Sequence, residues 1–275
     1  MNGRARVAVA LGAYGILFLL MLYGPLALIA VYSFNANVVN MTVWQGFTFD
    51  WYRTIFGGKT DLSTDLFYVE STDELLQSLG NSLVVAPAAS LASTAIGTAT
   101  ALAMARRRFI GKGVLRALIA MPMVMPDIVL GIALLVFFVG VGFPLGVVSI
   151  IVGHCTFLAS YVFVIVTARL AGMDTALEDA SADLGASPWV TFRRVTLPMI
   201  MPGVAGGFLL AFIISLNDVV ITYFIAGVDS QTLPLFILGM MRRGIKPEIN
   251  ALAVLLILFT FAVAAIGLYL RARRD

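Results

Sequence analysis

Six stretches of apolar residues, each about as long as a membrane-spanning helix, dominate this sequence. A helix needs about 20 apolar residues to cross the hydrocarbon core of a bilayer. Of the 275 residues, 60% are hydrophobic and only 12% are charged, against about 25% charged in a typical soluble domain. We therefore predict an all-α membrane protein with six transmembrane helices in a single domain spanning residues 1–275. The predicted spans are residues 7–34, 82–105, 115–139, 145–168, 199–224 and 249–270.

The first apolar stretch can be interpreted as a signal peptide or as a retained membrane helix. Arg4 and Arg6 precede it, as basic residues precede a secretory signal peptide. The stretch is longer than the 7–15 apolar residues of a signal peptide, and Pro25 interrupts it. We expect a helix that stays in the mature protein.

The distribution of basic residues predicts the orientation of the chain. Loops on the cytoplasmic side carry an excess of Lys and Arg. Of the 18 basic residues, one face would carry all but Arg53, Lys59, Arg242, Arg243 and Lys246. That face is therefore expected to be cytoplasmic, with both termini inside. The basic clusters are interpreted as topology signals and not as a nucleic-acid surface.

Two segments are expected outside the cell. The basic stretch 240–246 conflicts with the charge rule, and we interpret it as an exposed outer loop. The acidic segment 35–81 carries Trp44, Trp51 and Tyr52, which are typical of a membrane–water interface. This second segment is either a solvated loop with interface residues or a docking surface for an external partner.

The scarcity of chemically reactive residues argues against enzymatic activity. Cys155 is the one cysteine, which excludes an internal disulfide and a thiolate metal cluster. His154 is the one histidine, which makes a histidine metal site or a Ser-His-Asp triad improbable. We expect both residues to be packed inside the fourth span and predict no catalytic residues and no metal site.

The segment 172–198, on the expected cytoplasmic face, predicts two short helices. Asp174 and Thr175 can cap the first helix, and Gly185 suits its end. Ser187 and Pro188 can begin a second helix, which carries an apolar stripe. Amphipathic helices of this kind lie on lipid or dock into a groove of a partner.

The same segment resembles the EAA loop of ABC importer permeases. Their pattern is E-A-A-x-x-x-G, then nine residues, then I-x-L-P. The chain has Asp179-Ala180-Ser181 and Gly185, then nine residues, then Val195-Thr196-Leu197-Pro198, so the spacing matches throughout. Asp179 and Ser181 depart from the pattern, and Glu178 beside Asp179 is a candidate to compensate.

The resemblance implies a type I ABC importer permease fold and a set of partners. In that family the loop seats in a cleft of an ATPase, which implies coupling roles for Glu178, Asp179, Ala180, Gly185 and Pro198. The partners implied are two ATPase subunits that hold ATP and Mg²⁺, a second and different permease subunit, and a periplasmic solute-binding protein. The permease would lie in lipid in the bacterial inner membrane, with no cofactor of its own and no nucleic-acid partner.

Further stretches resemble the second permease subunit of spermidine/putrescine importers. They are Met121-Pro122-Met123-Val124-Met125-Pro126-Asp127, Leu216-Asn217-Asp218-Val219-Val220, Thr232-Leu233-Pro234 and 247–253. Relatives that import other organic solutes share parts of them. The resemblance implies import of a polyamine, with another amine or an amino-acid-like solute as the alternative.

Two acidic residues fall within apolar spans. An unpaired carboxylate at mid-bilayer costs at least about 2.5 kcal/mol, so such residues usually face a partner or a water-filled path. Asp127 follows Pro122 and Pro126, which predicts an interrupted helix beside it. Asp218 follows Asn217, where polyamine permeases often have two acids. We interpret Asp127, Asn217 and Asp218 as substrate-path residues, with structural capping as the alternative.

The sequence leaves two alternative functions to consider. An ion-coupled secondary transporter would use the intramembrane acids without an ATPase, but it leaves the loop 172–198 without a role. An intramembrane enzyme would need a nucleophile and a base at membrane depth, which the sequence does not offer.

Overall fold

The computed structural model describes residues 3–38, 43–58, 66–106, 109–243, 248–258 and 261. Within these residues the regular structure is helical apart from one isolated bridge between Asn35 and Phe47. The helices are α1 Gly3–Tyr32, α2 Asp50–Ile55, α3 Leu66–Arg106, α4 Lys112–Val124, α5 Asp127–Gly140, α6 Val147–Ala171, α7 Ala176–Asp183, α8 Pro188–Thr191, α9 Leu197–Asn217, α10 Val220–Ile225, α11 Leu233–Arg243 and α12 Glu248–Leu258.

Four helical segments of the described chain are long and apolar enough to cross a membrane, and α4 with α5 makes a fifth if that bent pair is one span. The four are Ala10–Tyr32, Asp73–Arg106, Val147–Ala171 and Pro188–Asn217. They match the first, second, fourth and fifth predicted spans, with the second starting earlier than residue 82. Of the sixth predicted span, α12 covers the first part, and residues 259–260 and 262–270 lie outside the described residues.

The third span is broken where the two prolines predicted an interruption. The axes of α4 and α5 differ by 107°. Met125 and Pro126 are extended, with ψ of 139° and 132°. Proline lacks an N–H and disfavours the helical conformation in the residue before it, so α4 cannot continue through residue 126. The predicted interruption beside Asp127 is confirmed.

The fifth span differs from the prediction at both ends. It begins at Pro188, passes through a π-helical turn at Phe192–Thr196 and runs without a break to Asn217. The second short helix predicted for the loop is therefore the first turn of the span. At the other end the helix stops at Asn217 and restarts as α10, because Asp218 is extended with ψ of 133°.

The chain forms two compact units, residues 74–238 and residues 1–73 with 239–275. The core of the first unit is built around α6, where Leu158, Val162 and Val166 are fully buried. Gly97 of α3 lies so close to α6 that a Cβ atom there would be 2.7 Å from the Ala159 carbonyl oxygen. In a membrane, helices associate through close packing, and small residues at the interface allow that packing. The single domain over residues 1–275 stays a prediction.

The predicted outer loop has internal order in the second unit. Trp51 is fully buried and donates from its indole nitrogen to the Asn35 carbonyl oxygen at 2.7 Å. Phe34, Phe47 and Phe49 pack together with ring centroids 5.0–5.4 Å apart. The loop thus encloses Trp51, and its position at the membrane–water interface stays a prediction. Trp44 is half exposed.

The basic stretch 240–246 is also not the exposed loop that we predicted, as far as it is described. Residues 240–243 are the last turn of α11, and Met240 is buried. Residues 244–246 lie outside the described chain. The prediction was wrong because the basic residues end an apolar helix of 11 residues, which is too short to be recognised as a span.

Candidate functional site

The segment 172–198, which we call the coupling loop, begins with α7. Asp174 accepts a hydrogen bond from the N–H of Ala176, the first residue of α7, at 2.9 Å, whereas Thr175 at the N-cap makes no side-chain capping bond. Ser187 accepts from the Val190 N–H at 3.4 Å, with Pro188 in the first helical position. Both helix starts were readable from the sequence because capping is a local interaction.

Gly185 ends α7 in the left-handed conformation, with φ of +79°. The Gly185 N–H donates to the Ala182 carbonyl at 2.9 Å, and the Ala186 N–H donates to the Ser181 carbonyl at 3.1 Å. This pair of bonds is the Schellman termination, which favours glycine because a Cβ atom is strained at positive φ. The glycine is required by the turn between α7 and α8.

Glu178 connects α7 to two other elements. Arg106, at the end of α3, donates from both of its terminal guanidinium nitrogens to the two Glu178 carboxylate oxygens. The Thr196 hydroxyl, in the π-helical turn, donates to Glu178 Oε1 at 2.5 Å. Burial raises the pKa of Glu178, but the hydrogen bonds from Arg106 and Thr196 outweigh it, so the pKa lies below its ordinary value. The carboxylate is therefore charged and fully engaged inside the loop.

The other predicted coupling residues differ from Glu178 in their exposure. Asp179, Ala180, Gly185 and Pro198 are exposed. Glu178 is 6% exposed, so it points inward while Asp179 points outward. The two neighbouring acids thus have different surroundings, and a compensating role of Glu178 for Asp179 stays a prediction.

A cleft of 410 Å³ lies between the coupling loop and the ends of α3 and α9. Its walls include Arg106, Asp179, Ala182 and Phe192. Two large apolar side chains of the coupling loop are exposed: Leu184 is 89% exposed and Trp189 is 67% exposed. Large apolar side chains that no part of the described chain covers suit contact with a protein partner or with a membrane surface.

The three predicted path residues lie at the two helix breaks. Asp127 begins α5 with an exposed side chain, and no hydrogen bond or ion pair reaches it within the described chain. Asn217 ends α9 and is also exposed, with Nδ2 donating to the Ile213 carbonyl oxygen at 3.0 Å. The Asp218 side chain is only 8% exposed.

Asp218 is buried by a cluster that the sequence did not reveal. His154 Nε2 lies 3.2 Å from Asp218 Oδ2, and its Nδ1 lies 2.8 Å from the Ser215 hydroxyl. The Thr222 N–H and hydroxyl both donate to Asp218 Oδ2 at 2.8 Å. His154 is fully buried, so the predicted packing inside the fourth span is confirmed. Sequence reasoning missed its partners because they lie more than 60 residues away.

The sequence matches the family described as "Binding-protein-dependent transport system inner membrane component" over residues 94–275. This chain belongs to that family. It is therefore a multi-pass inner-membrane permease and not an enzyme, as the resemblance implied.

Curated relatives extend the match to most of the chain. The putrescine transport system permease protein PotI of Escherichia coli K12 is 37% identical in an alignment of 261 residues, gaps included, that covers 92% of this chain and 88% of PotI. The spermidine/putrescine transport system permease protein PotC of Haemophilus influenzae is 36% identical over 246 residues, or 90% of each chain. The predicted resemblance to this branch is confirmed.

Solved structures share the fold of this permease. A bacterial ABC transporter for the acidic polysaccharide alginate has a TM-score of 0.69 at 14% identity, covering 96% of this chain and 98% of its own. An amino acid ABC transporter solved with histidines has a TM-score of 0.56 at 18% identity, covering 76% and 99%. At these identities the likeness concerns the fold alone.

Proposed function

We propose that this permease is one subunit of an ATP-driven importer and forms half of the path for a polyamine such as spermidine or putrescine. The names of the relatives PotI and PotC support the solute class. The full transporter would contain two ATPase subunits, a second and different permease subunit and a periplasmic solute-binding protein. The six spans and the cytoplasmic termini belong to the same proposal.

The observation that carries the proposal is the construction of the coupling loop. Its inner side is fixed to the end of α3 by Glu178 and Arg106, while its outer side exposes Asp179 and Trp189. An exposed surface that hydrogen bonds join to the ends of two spans can receive a movement from a partner. The sequence has no G-x-x-x-x-G-K-[ST] motif, so ATP and Mg²⁺ would bind in the partner ATPase.

The proposed path passes the two helix breaks. Asp127 and Asn217 would face it, because both side chains are exposed where the helices are interrupted. A carboxylate provides countercharge and an amide oxygen accepts hydrogen bonds, which together suit an ammonium group. Asp218 lies at the same break as Asn217, with its side chain turned to His154.

The test is reconstitution of the whole transporter in vesicles. We expect uptake of labelled putrescine or spermidine that requires ATP inside the vesicle and the loaded binding protein outside. A Gly185→Arg variant should insert and assemble but not transport, while Gly172→Ala in the same segment should transport normally. Uptake without any ATPase would refute the importer, and saturable uptake of other solutes but no polyamine would refute the solute class.

A further inference from the structure

A buried polar cluster lies where the fifth span breaks, and its members come from three helical segments. His154 of α6, Ser215 of α9, Asp218 of the break and Thr222 of α10 form this His154 cluster. His154 and Thr222 are fully buried, and Ser215 is 3% exposed. Buried polar groups in a span are costly unless they are paired.

The hydrogen positions in the cluster follow from the donors available. The Thr222 hydroxyl donates to Asp218 Oδ2, so its oxygen accepts from His154 Nε2 at 3.1 Å. Nε2 therefore carries a hydrogen, and in the neutral imidazole Nδ1 then accepts from the Ser215 hydroxyl. A neutral imidazole satisfies every contact.

One oxygen of Asp218 receives all of these donors. The Thr222 N–H, the Thr222 hydroxyl and His154 Nε2 all lie within 3.2 Å of Oδ2. The bond from the Thr222 N–H caps the first turn of α10. The three donors thus need an acceptor oxygen at the position of Asp218 Oδ2. An amide oxygen can accept these hydrogen bonds as a carboxylate oxygen does.

Asn217, at the same break, is exposed, whereas the Asp218 side chain is buried in the His154 cluster. The side chain of Asn217 donates from Nδ2 to the turn before it. Its amide oxygen accepts no hydrogen bond from the described residues, so this oxygen is available to a donor from outside the chain. An ammonium group is such a donor.

We infer that His154 is a positioning residue, which holds Asp218 in the cap of α10 so that Asn217, and not Asp218, is the side chain presented to the solute. The inference rests on the proposed function for the solute and on the cluster geometry for the positioning. It assigns the direct contact with the solute at this break to a neutral hydrogen-bond acceptor, Asn217, while the carboxylate of Asp218 stays engaged in the cluster. The countercharge for an amine then comes from Asp127 or from the partner subunit.

The first experiment separates an acceptor from a charge at position 218. Asp218→Asn keeps an oxygen for the three donors, whereas Asp218→Leu has similar size and no acceptor. We expect Asp218→Asn to keep the KM for polyamine within about twofold, and Asp218→Leu to lose about tenfold or more in Vmax. A tenfold rise in KM for Asp218→Asn at unchanged Vmax would mean that the carboxylate contacts the solute, which overturns the inference.

The second experiment tests His154 with two amides of different length. The Gln amide nitrogen can reach the place of Nε2, and the Asn amide oxygen can replace Nδ1 only. We expect His154→Gln to retain most uptake and the melting temperature of the purified transporter, and His154→Asn to lower both. Equal behaviour of the two variants would overturn the positioning role. Because melting needs no solute, this comparison stands even if the wild type fails to transport polyamines.

Discussion

Arg106 and Glu178 form a bidentate ion pair across 72 residues of sequence, joining the end of the second span to the first helix of the coupling loop. Glu178 is 6% exposed, so this is a nearly buried carboxylate with a half-exposed partner. Such a pair contributes to stability only when its hydrogen bonds are complete, and here Thr196 supplies a further donor.

Glu178→Gln should destabilise the permease by about 1–3 kcal/mol, because the Arg106 charge loses its counterion. The effect should depend on pH. The folded-state pKa of Glu178 lies below its unfolded value, so its contribution is present above the unfolded pKa and is lost as the pH falls through the folded pKa. Melting temperatures measured from neutral to acidic pH should therefore converge for wild type and variant.

The matched control for Glu178 is Asp179→Asn, which removes the exposed acid on the same helix. We expect it to melt like the wild type and to show weakened coupling, seen as less ATP-driven uptake at equal amounts of assembled transporter. A difference between wild type and Glu178→Gln that stays constant down to acidic pH would contradict the role of the ion pair.

Gly185→Ala should weaken coupling without affecting insertion. An alanine at φ of +79° costs about 1 kcal/mol, so the turn between α7 and α8 would open or shift. The measurement is ATPase activity stimulated by the loaded binding protein, with Gly172→Ala as control, because Gly172 has φ of −91°. Equal stimulation in both variants would show that the left-handed turn is not needed.

Gly97→Ala should disrupt packing between α3 and α6. The new Cβ atom would lie 2.7 Å from the Ala159 carbonyl oxygen and 2.9 Å from the Phe163 nitrogen, and neither backbone atom can move aside cheaply. We expect a loss of at least about 1–3 kcal/mol, measured as a lower melting temperature in detergent. Gly206→Ala, with no atom within 4 Å of its new Cβ, should melt like the wild type.

Asp127→Asn should raise the KM for a cationic solute, because it removes an exposed carboxylate at the break of the third span. The loss of one charge-assisted hydrogen bond corresponds to about tenfold in affinity. Asp127→Glu keeps the charge and should have a smaller effect. Uptake kinetics in vesicles with both variants provide the comparison, and an unchanged KM for Asp127→Asn would place this acid off the path.

The features that could be predicted from sequence are those with local causes. Pro126 breaks the third span because of its own geometry, and Gly185 ends α7 because of its own φ angle. The features that were missed depend on contacts between distant parts of the chain. Arg106 was interpreted as a topology signal, since nothing near it in sequence indicates that it pairs with Glu178.

The fifth span shows why its boundaries were predicted less well than its existence. Apolar residues alone marked it as 199–224, but capping by Ser187 extends the helix backward to Pro188. Forward, Asp218 ends the helix because its carboxylate is occupied by His154 and Thr222. The capping by Ser187 is a local signal that the sequence contains, whereas the contact of Asp218 with His154 depends on the tertiary structure.

The uninterrupted run from Pro188 to Asn217 gives the permease a rod of 30 residues, about 45 Å at 1.5 Å per residue. Trp189 lies near one end of the rod and Asn217 at the other. The π-helical turn at Phe192–Thr196 and Pro202 are the places where this helix can bend. A tilt imposed near Trp189 reaches Asn217 to the extent that the helix stays straight there. A movement of the ATPase at the Trp189 end and a change of the path at Asn217 would then be one movement of the same helix.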